Sequence, residues 1–323
     1  MNKIYDYIIM DCYNIAYRWA NKSLKDTLNE NNKTIHSEVI ENFFKAYETY
    51  KNMFADSHTK IICTLDNANT LLLRKSIMPE YKANRVDVPN WFIESINLIE
   101  TILAYYDNNL EFYRVKGLEA DDFVPNIIKT ISEHSTVLMI STDLDWSRCL
   151  SNSNIIVEQY IDKNHDIRTV DNFTKQLGFK CNYSSICFYK CFYGDVSDNI
   201  KPIMSELPKK MFDLIIDNFN SMPQFYSYLE LNKIKLDVGW KLNFLRHKDD
   251  LLKAWKVINA PNMNIETLKT YKQVCKLNEQ MLRVVYSNLN LSFDKRLDYT
   301  NIDNCFALTN ARNKNDDSLN NYF

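Results

Sequence analysis

Through the first 160 residues, short apolar runs alternate with longer stretches whose apolar positions recur every three or four residues. The runs at 7–10, 60–65, 137–141 and 155–160 are rich in Ile, Val and Leu, as buried parallel strands are. Between them, 37–54, 90–105 and 120–131 carry the helical period. This alternation predicts an α/β fold, a parallel sheet flanked by helices. From about residue 183 the pattern is mostly helical, with no convincing strand. The chain therefore divides into a core at 1–200, a mostly helical region at 201–309 and a polar tail at 310–323 that ends in an aromatic pair and reads as flexible. No internal repeat is visible.

Composition narrows the class. A chain of 323 residues, 46% hydrophobic and 25% charged, is an ordinary soluble globular sequence, large enough for one big domain or two closely joined ones. The N-terminal run YIIM is broken by Asp11, and no apolar stretch approaches the roughly 18 residues that a membrane span needs. A cytoplasmic protein with no membrane association is expected. Eight cysteines, at 12, 63, 149, 181, 187, 191, 275 and 305, lack the CxxC pairing of a zinc site and read as reduced core thiols.

The carboxylates carry the chemistry. Asp11 follows YIIM, Asp66 follows KIICTL, and Asp143 and Asp145 follow VLMIST, each at the carboxyl end of a strand run. In open parallel sheets ligands bind outside those ends, so these acids converge on one edge. Glu119, Asp121 and Asp122 open a helix just after Gly117, and Asp195 and Asp198 lie in GDVSDNI. Taken singly, acids in a first helical turn complement the helix dipole, and the GDVSDNI pair would form an Asx turn. Nine carboxylates on one rim, however, repel one another unless they are protonated or hold cations. Hard divalent ions with oxygen ligands relieve that repulsion, and nine acids suit a two-metal site. The formal charge of −2 argues against nucleic-acid binding only while these nine are counted; without them the rest of the chain carries +7.

The motifs in order are IIMDCYNIAYR (8–18), CTLDNANTLLLRKSIMPEYKANR (63–85), GLEADD (117–122), ISTDLDW (140–146) and YGDVSDNI (193–200). Together they resemble the flap endonuclease/5′–3′ exonuclease family, and within it the short phage-encoded 5′-nucleases called ribonuclease H. The resemblance implies a SAM fold related to PIN domains, with a helical arch at about 67–90. It implies two Mg²⁺ ions, with Mn²⁺ as a substitute. Asp11, Asp66, Glu119, Asp121 and Asp122 would serve one ion and Asp143, Asp145, Asp195 and Asp198 the other, with Asp122 between them. Lys82 and Arg85 of PEYKANR match the family's catalytic basic pair at the base of the arch. Arg18, Arg74, Lys75 and Tyr81 match positions where DNA is contacted, with Tyr81 either stacking on a base or packing near the scissile step. A solvated helix face is the plainer reading of Arg74 and Lys75. The substrates implied are branched or 5′-ended DNA and RNA–DNA, with removal of RNA primers during replication. A free-standing monomer in the host cytoplasm is expected, with a single-strand-binding protein as a possible assistant.

Two features depart from the family. After GDVSDNI most members carry a glycine-rich hairpin that grips duplex phosphates and a potassium ion. Here the segment is KPIMSELPKKMFDLIIDNF, with no glycine between Gly194 and Gly239. The hairpin is degenerate, which puts the potassium site in question, although Lys209 and Lys210 at the start of a helix near Pro208 can still meet a phosphate. In the tail, Leu319, Tyr322 and Phe323 have the spacing of a sliding-clamp binding peptide, with Asp316 where a glutamine is usual. Two other readings stay open: a non-catalytic structure-specific DNA-binding protein on the same fold, and a PIN-type ribonuclease of single-stranded RNA.

Overall fold

The strand Tyr7–Asp11 (β1) sets the plan of the molecule, because alternate side chains of a strand face opposite ways. Ile8 and Met10 enter one core and Ile9 the other. The computed structural model describes residues 3–259 apart from 27–31, 67–70, 86–87, 107–109, 116–117, 132, 152–154, 162–165, 232 and 235. The tail residues Leu319, Tyr322 and Phe323 lie outside the described residues.

Five further strands join β1: β2 (Lys60–Leu65), β3 (Leu110–Arg114), β4 (Thr136–Ile140), β5 (Ile156–Ile161) and β6 (Asp166–Arg168). Their order is β3-β2-β1-β4-β5-β6. The first five strands run parallel and β6 is antiparallel to β5. Helices α1 (Cys12–Asp26), α2 (Asn32–Phe54) and α4 (Asn90–Tyr106) cover one face, where Phe43, Phe44, Tyr47, Phe92 and Ile99 are fully buried. The other face is covered by α5 (Ala120–Lys129), α6 (Val170–Leu177) and the 3₁₀ helix Asp145–Ser151.

A third core is built from α7 (Tyr183–Tyr193), α8 (Lys209–Asn218), α9 (Met222–Glu230), α10 (Val238–Arg246) and α11 (Lys248–Ile258). It also takes in Met78 and Tyr81, just beyond the short helix α3 (Leu71–Ile77). The segment carrying PEYKANR is thus anchored in the helical region and not on the sheet. Within α7, Ile186 packs toward the sheet while Cys187, Phe188 and Cys191 pack toward the later helices. One helix therefore joins the sheet to the third core. No helix among the described residues is long and apolar enough to cross a membrane.

Among the described residues, α6, the 3₁₀ helix Asp145–Ser151, β3, β6 and α1 are absent from the sequence-based expectation. Strand β3, LEFYR, is an edge strand only partly buried, so Glu111 and Arg114 break the apolar signal. Strand β6 spans just three residues. Helix α1 follows β1 without an intervening turn, so the strand run flows into the helix with no punctuation to mark it.

Candidate active site

The sheet order makes β1 a switch point: β2 and β3 lie on one side of it, β4 and β5 on the other. A crevice outside the carboxyl ends of the strands is expected there. Asp11 is the last residue of β1, Asp66 follows β2, and Asp143 and Asp145 follow β4. Because β3 exists, Glu119, Asp121 and Asp122 also leave a strand end, at the start of α5. Four adjacent strands thus deliver seven of the nine acids.

Local hydrogen bonds aim these carboxylates. Asp11 accepts from the Asn14 amide at 3.0 Å and from Ser141 Oγ at 2.7 Å. Asp66 accepts from the Ala120 amide at 2.7 Å, at the electropositive start of α5, and its carbonyl accepts from Arg114 Nε at 3.2 Å. The wholly buried Gln159 donates to the carbonyls of Ser141 and Asp143, at 2.9 and 2.8 Å, and so fixes the loop beyond β4. Asp195 and Asp198 come from a tight loop closed by paired backbone bonds of 2.8 Å between Asp195 and Ile200. Within it, Asp195 Oδ1 accepts from the Ser197 amide and hydroxyl, at 2.9 and 2.6 Å, so the Asx turn is present alongside any other role.

The acids gather as two triplets. Glu119, Asp121 and Asp122 form one; Asp145, Asp195 and Asp198 form the other. In each, one oxygen per residue lies within 4.8 Å of the others. Asp11, Asp66 and Asp143 influence one another electrostatically, and Asp66 also feels Glu119. Asp143 is exposed, whereas Asp11, Glu119, Asp122, Asp145 and Asp198 are buried.

Cations from the protein already sit among them. Lys82 pairs with Glu119 and reaches Asp198 at 3.5 Å. Arg85, half exposed, holds Asp198 at 3.1 Å. Arg74 pairs with Glu119 and Asp122. Lys190 bridges Asp145 and Asp195, the latter at 2.5 Å. Arg148 meets Asp121 at 2.9 Å. Among the described residues, five cations against nine carboxylates leave a formal excess of four negative charges.

That excess shows in the acidities. Burial, and then the charge of Asp66, pushes the Asp11 carboxyl up to about 8 despite its hydrogen bonds. Burial and Asp122 raise Asp121 well above the usual carboxylate range, although Arg148 opposes this. Asp122 is raised by burial against the pull of Arg74. Where a cation is close, the balance reverses. Burial would raise Glu119, but Lys82 and Arg74 outweigh it, and Lys190 and Arg148 do the same for Asp145.

Of the basic and aromatic candidates, Arg74 departs from the sequence-based expectation. Arg74 does not lie on a solvated face and is not presented to a phosphate: it is buried, with Nε donating to the Val257 carbonyl at 3.0 Å. Tyr81 takes the packed one of its two expected placements and offers no open face for stacking. It is 1% exposed, and its hydroxyl lies 3.0 Å from Glu119 and 3.2 Å from Asp198. Lys75 is exposed on α3. Arg18 lies against α2, 3.4 Å from the Tyr50 hydroxyl. Lys209 and Lys210 are exposed at the start of α8, with Lys209 2.5 Å from Asp213.

Arg148, Lys190, Arg114 and Gln159 are absent from the sequence-based set. A lone charge within an apolar stretch, as Lys190 in ICFYKCFY, is a signal that marks that residue, because such a charge is rarely buried without a partner.

The donor set fits hard divalent ions. Every candidate ligand is a carboxylate oxygen, and the protein's own cations do not neutralise the group. Asp121 Oδ1 is buried without a hydrogen-bond partner.

Residues 6–178 match the family model for the 5′–3′ exonuclease, N-terminal resolvase-like domain. DNA polymerase I of Caldicellulosiruptor bescii is 30% identical over 204 residues, which are 61% of this chain and 23% of the polymerase. The chain thus spans about a quarter of that relative's length. The 5′–3′ exonuclease of Buchnera aphidicola subsp. Acyrthosiphon pisum is 24% identical over 261 residues, covering 80% of this chain and 77% of that one. Among solved structures, the D15 protein of bacteriophage T5 co-crystallized with metal ions superposes with a TM-score of 0.59 at 17% identity, covering 84% of this chain and 98% of that one. The same phage protein, a flap endonuclease, in a pseudo-enzyme-product complex with DNA and metal ions, gives a TM-score of 0.55. These two likenesses establish the shared PIN-like fold.

Proposed function

Because the chain belongs to the flap endonuclease/5′–3′ exonuclease family, we propose that it is a divalent-metal-dependent nuclease that hydrolyses phosphodiesters near 5′ ends and flaps. The observation that carries this reading is the pair of carboxylate triplets, joined by Asp11, Asp66 and Asp143, at one edge of a parallel sheet. Two Mg²⁺ ions, replaceable by Mn²⁺, would be held by these nine acids. When bound they supply an activated water and charge neutralisation at the phosphate.

The chain's own residues divide the remaining work. Arg85 is the exposed cation of the site and meets the substrate phosphate first. Lys82 is held between Glu119 and Asp198, so its ammonium is fixed close to where charge develops on the scissile phosphate. Glu119 in turn is kept ionised by Lys82 and Arg74. The Tyr81 hydroxyl links the two triplets by donating between Glu119 and Asp198. Products carry 5′-phosphate and 3′-hydroxyl ends.

The finer reading follows the motifs. We place the chain beside the phage ribonuclease H branch, acting on RNA–DNA as well as branched DNA and removing RNA primers in replication. In this reading it works as a monomer in the host cytoplasm, assisted by a clamp at its C-terminal peptide or by a single-strand-binding protein. The segment from α3 through PEYKANR belongs, in this reading, to the arch through which the 5′ strand passes. A gel of a 5′-labelled flap duplex incubated with Mg²⁺ and with EDTA tests the reaction class. Mg²⁺-dependent cuts at the junction or stepwise from the 5′ end are expected; tight binding with no cleavage would sink the nuclease reading. A primer-length RNA–DNA substrate left intact while flap DNA is cut would remove the ribonuclease component.

A further inference from the structure

One buried cation among the acids has no part in the reaction just described. Arg148 lies in the 3₁₀ helix after β4, is 1% exposed, and has its whole guanidinium engaged. Nη2 donates to Asp121 Oδ2 at 2.9 Å, with the Asp121 carbonyl 3.4 Å away. Nε donates to the Asp145 carbonyl at 3.0 Å, and Asp145 Oδ1 lies 3.8 Å off. Nη1 donates to the Ile258 carbonyl at 2.9 Å. The guanidinium carbon sits 5.4 Å from the centre of the Tyr183 ring.

These partners come from four separate elements. Asp121 belongs to the triplet on α5 and Asp145 to the triplet shared with the 195–200 loop. Ile258 is the last residue of α11, whose terminal carbonyls lack helical partners and carry the negative end of the helix dipole. Arg74 repeats the pattern: it donates to the Val257 carbonyl while pairing with Glu119 and Asp122. Two arginines thus tie the final turn of α11 to the acidic triplets.

Stability alone is a weak reason for this arrangement. Burying a guanidinium forfeits its hydration, and well-packed apolar residues often replace buried ion pairs with no loss of stability. What the rigid fork provides is direction. It occupies Asp121 Oδ2 and leaves Oδ1 buried with no donor of its own. Hydrogen bonds that orient a ligating carboxylate through its second oxygen govern metal affinity.

We propose that Arg148 is a positioning residue of the metal centre, fixing the separation of the two carboxylate triplets and presenting Asp121 Oδ1 as a ligand atom. The inference rests on the reading of the acids as a metal centre.

The test is a Mn²⁺ titration of metal-free protein without DNA, following free Mn²⁺ by electron paramagnetic resonance, for wild type, Arg148→Lys and Arg148→Met. Thermal melts in EDTA run alongside. Both variants are expected to melt cooperatively in EDTA yet bind Mn²⁺ about 10- to 100-fold more weakly than wild type. Lysine keeps the charge without the fork, so its failure to rescue assigns the effect to geometry. Arg148→Lys binding as wild type would overturn the proposal, since charge alone would then suffice. Tighter binding by Arg148→Met would overturn it too, by marking Arg148 as a competing cation. Loss of cooperative melting in Arg148→Lys would assign the residue to the fold and not to the metal centre. Wild type that binds no Mn²⁺ would sink the underlying metal reading, an outcome visible before either variant is examined.

Discussion

Lys82 adopts a left-handed backbone, φ +53°, which is uncommon for a residue with a side chain and which turns its ammonium back between Glu119 and Asp198. Its amide donates to the Asp198 carbonyl at 3.0 Å, so main chain and side chain are both tied to the acidic site. Lys82→Ala is expected to lower single-turnover cleavage by about 10²- to 10³-fold, the scale of losing one electrostatic donor. A near-normal rate would remove Lys82 from the reaction. Asp143 is the exposed acid of the nine and accepts from the Asp145 amide at 2.9 Å. Asp143→Asn keeps that bond while removing the charge. Cleavage of a flap substrate is predicted to be abolished with binding retained, and turnover at physiological Mg²⁺ would contradict Asp143 as a ligand.

At the level of elements, the turn that carries PEYKANR is stitched to the 195–200 loop. Asn84 donates to the Val196 carbonyl at 2.8 Å, Asn199 to the Glu80 carbonyl at 2.7 Å, and Arg85 to the Ser197 carbonyl at 3.1 Å. Motifs more than a hundred residues apart thus form one unit. Gly194 makes this possible: its φ is +82°, and a Cβ there would lie 2.7 Å from both the Ile200 oxygen and the Pro202 nitrogen. Gly194→Ala is therefore expected to cost about 1–3 kcal/mol in denaturant unfolding and to slow cleavage. An unchanged midpoint would mean that the loop is less tightly held than its backbone bonds imply. The C-terminal peptide acts separately in our reading. Deleting 316–323 is predicted to weaken clamp stimulation and leave basal cleavage intact, and equal stimulation with and without the peptide would end the clamp hypothesis.

For the molecule as a whole, uncompensated acid charge links stability to pH and metal. Asp11, held at about 8 by burial and Asp66, binds a proton in the folded state that it loses on unfolding above the ordinary carboxylate range. Between that range and about pH 8 the folded chain holds more protons than the unfolded one, so this group's contribution falls as pH rises. Glu119 and Asp145 are shifted the opposite way, and their contribution is lost as pH falls below the ordinary carboxylate range. Metal-free protein is therefore predicted to melt at lower temperature at pH 8 than at pH 6. Mg²⁺ is expected to raise the melting temperature more at pH 8, where the acids are free to bind it. A melting temperature that rises from pH 6 to pH 8 without metal would refute this assignment of charge.

What was legible in the sequence was whatever short-range pattern carries. The strand runs gave β1, β2, β4 and β5 nearly to the residue, and the apolar period gave the helices that cover them. The placement of Asp11, Asp66 and Asp143 at strand ends followed directly, since a strand's carboxyl end is a local property and a parallel sheet gathers such ends on one edge. The edge strand β3 was hidden by Glu111 and Arg114, and with it the fact that Glu119–Asp122 also leave a strand. Tertiary structure alone decided which cations neutralise which acids. Arg148 reaches Asp121 and Ile258, Lys190 reaches Asp145, and Arg74 leaves its expected surface for Glu119 and the end of α11. No spacing encodes such pairs, because they join residues 27 to 183 positions apart and depend on how three cores pack around one sheet edge. Local sequence sets where a carboxylate leaves its strand; the charge it faces is set by whichever distant side chain the packing places beside it.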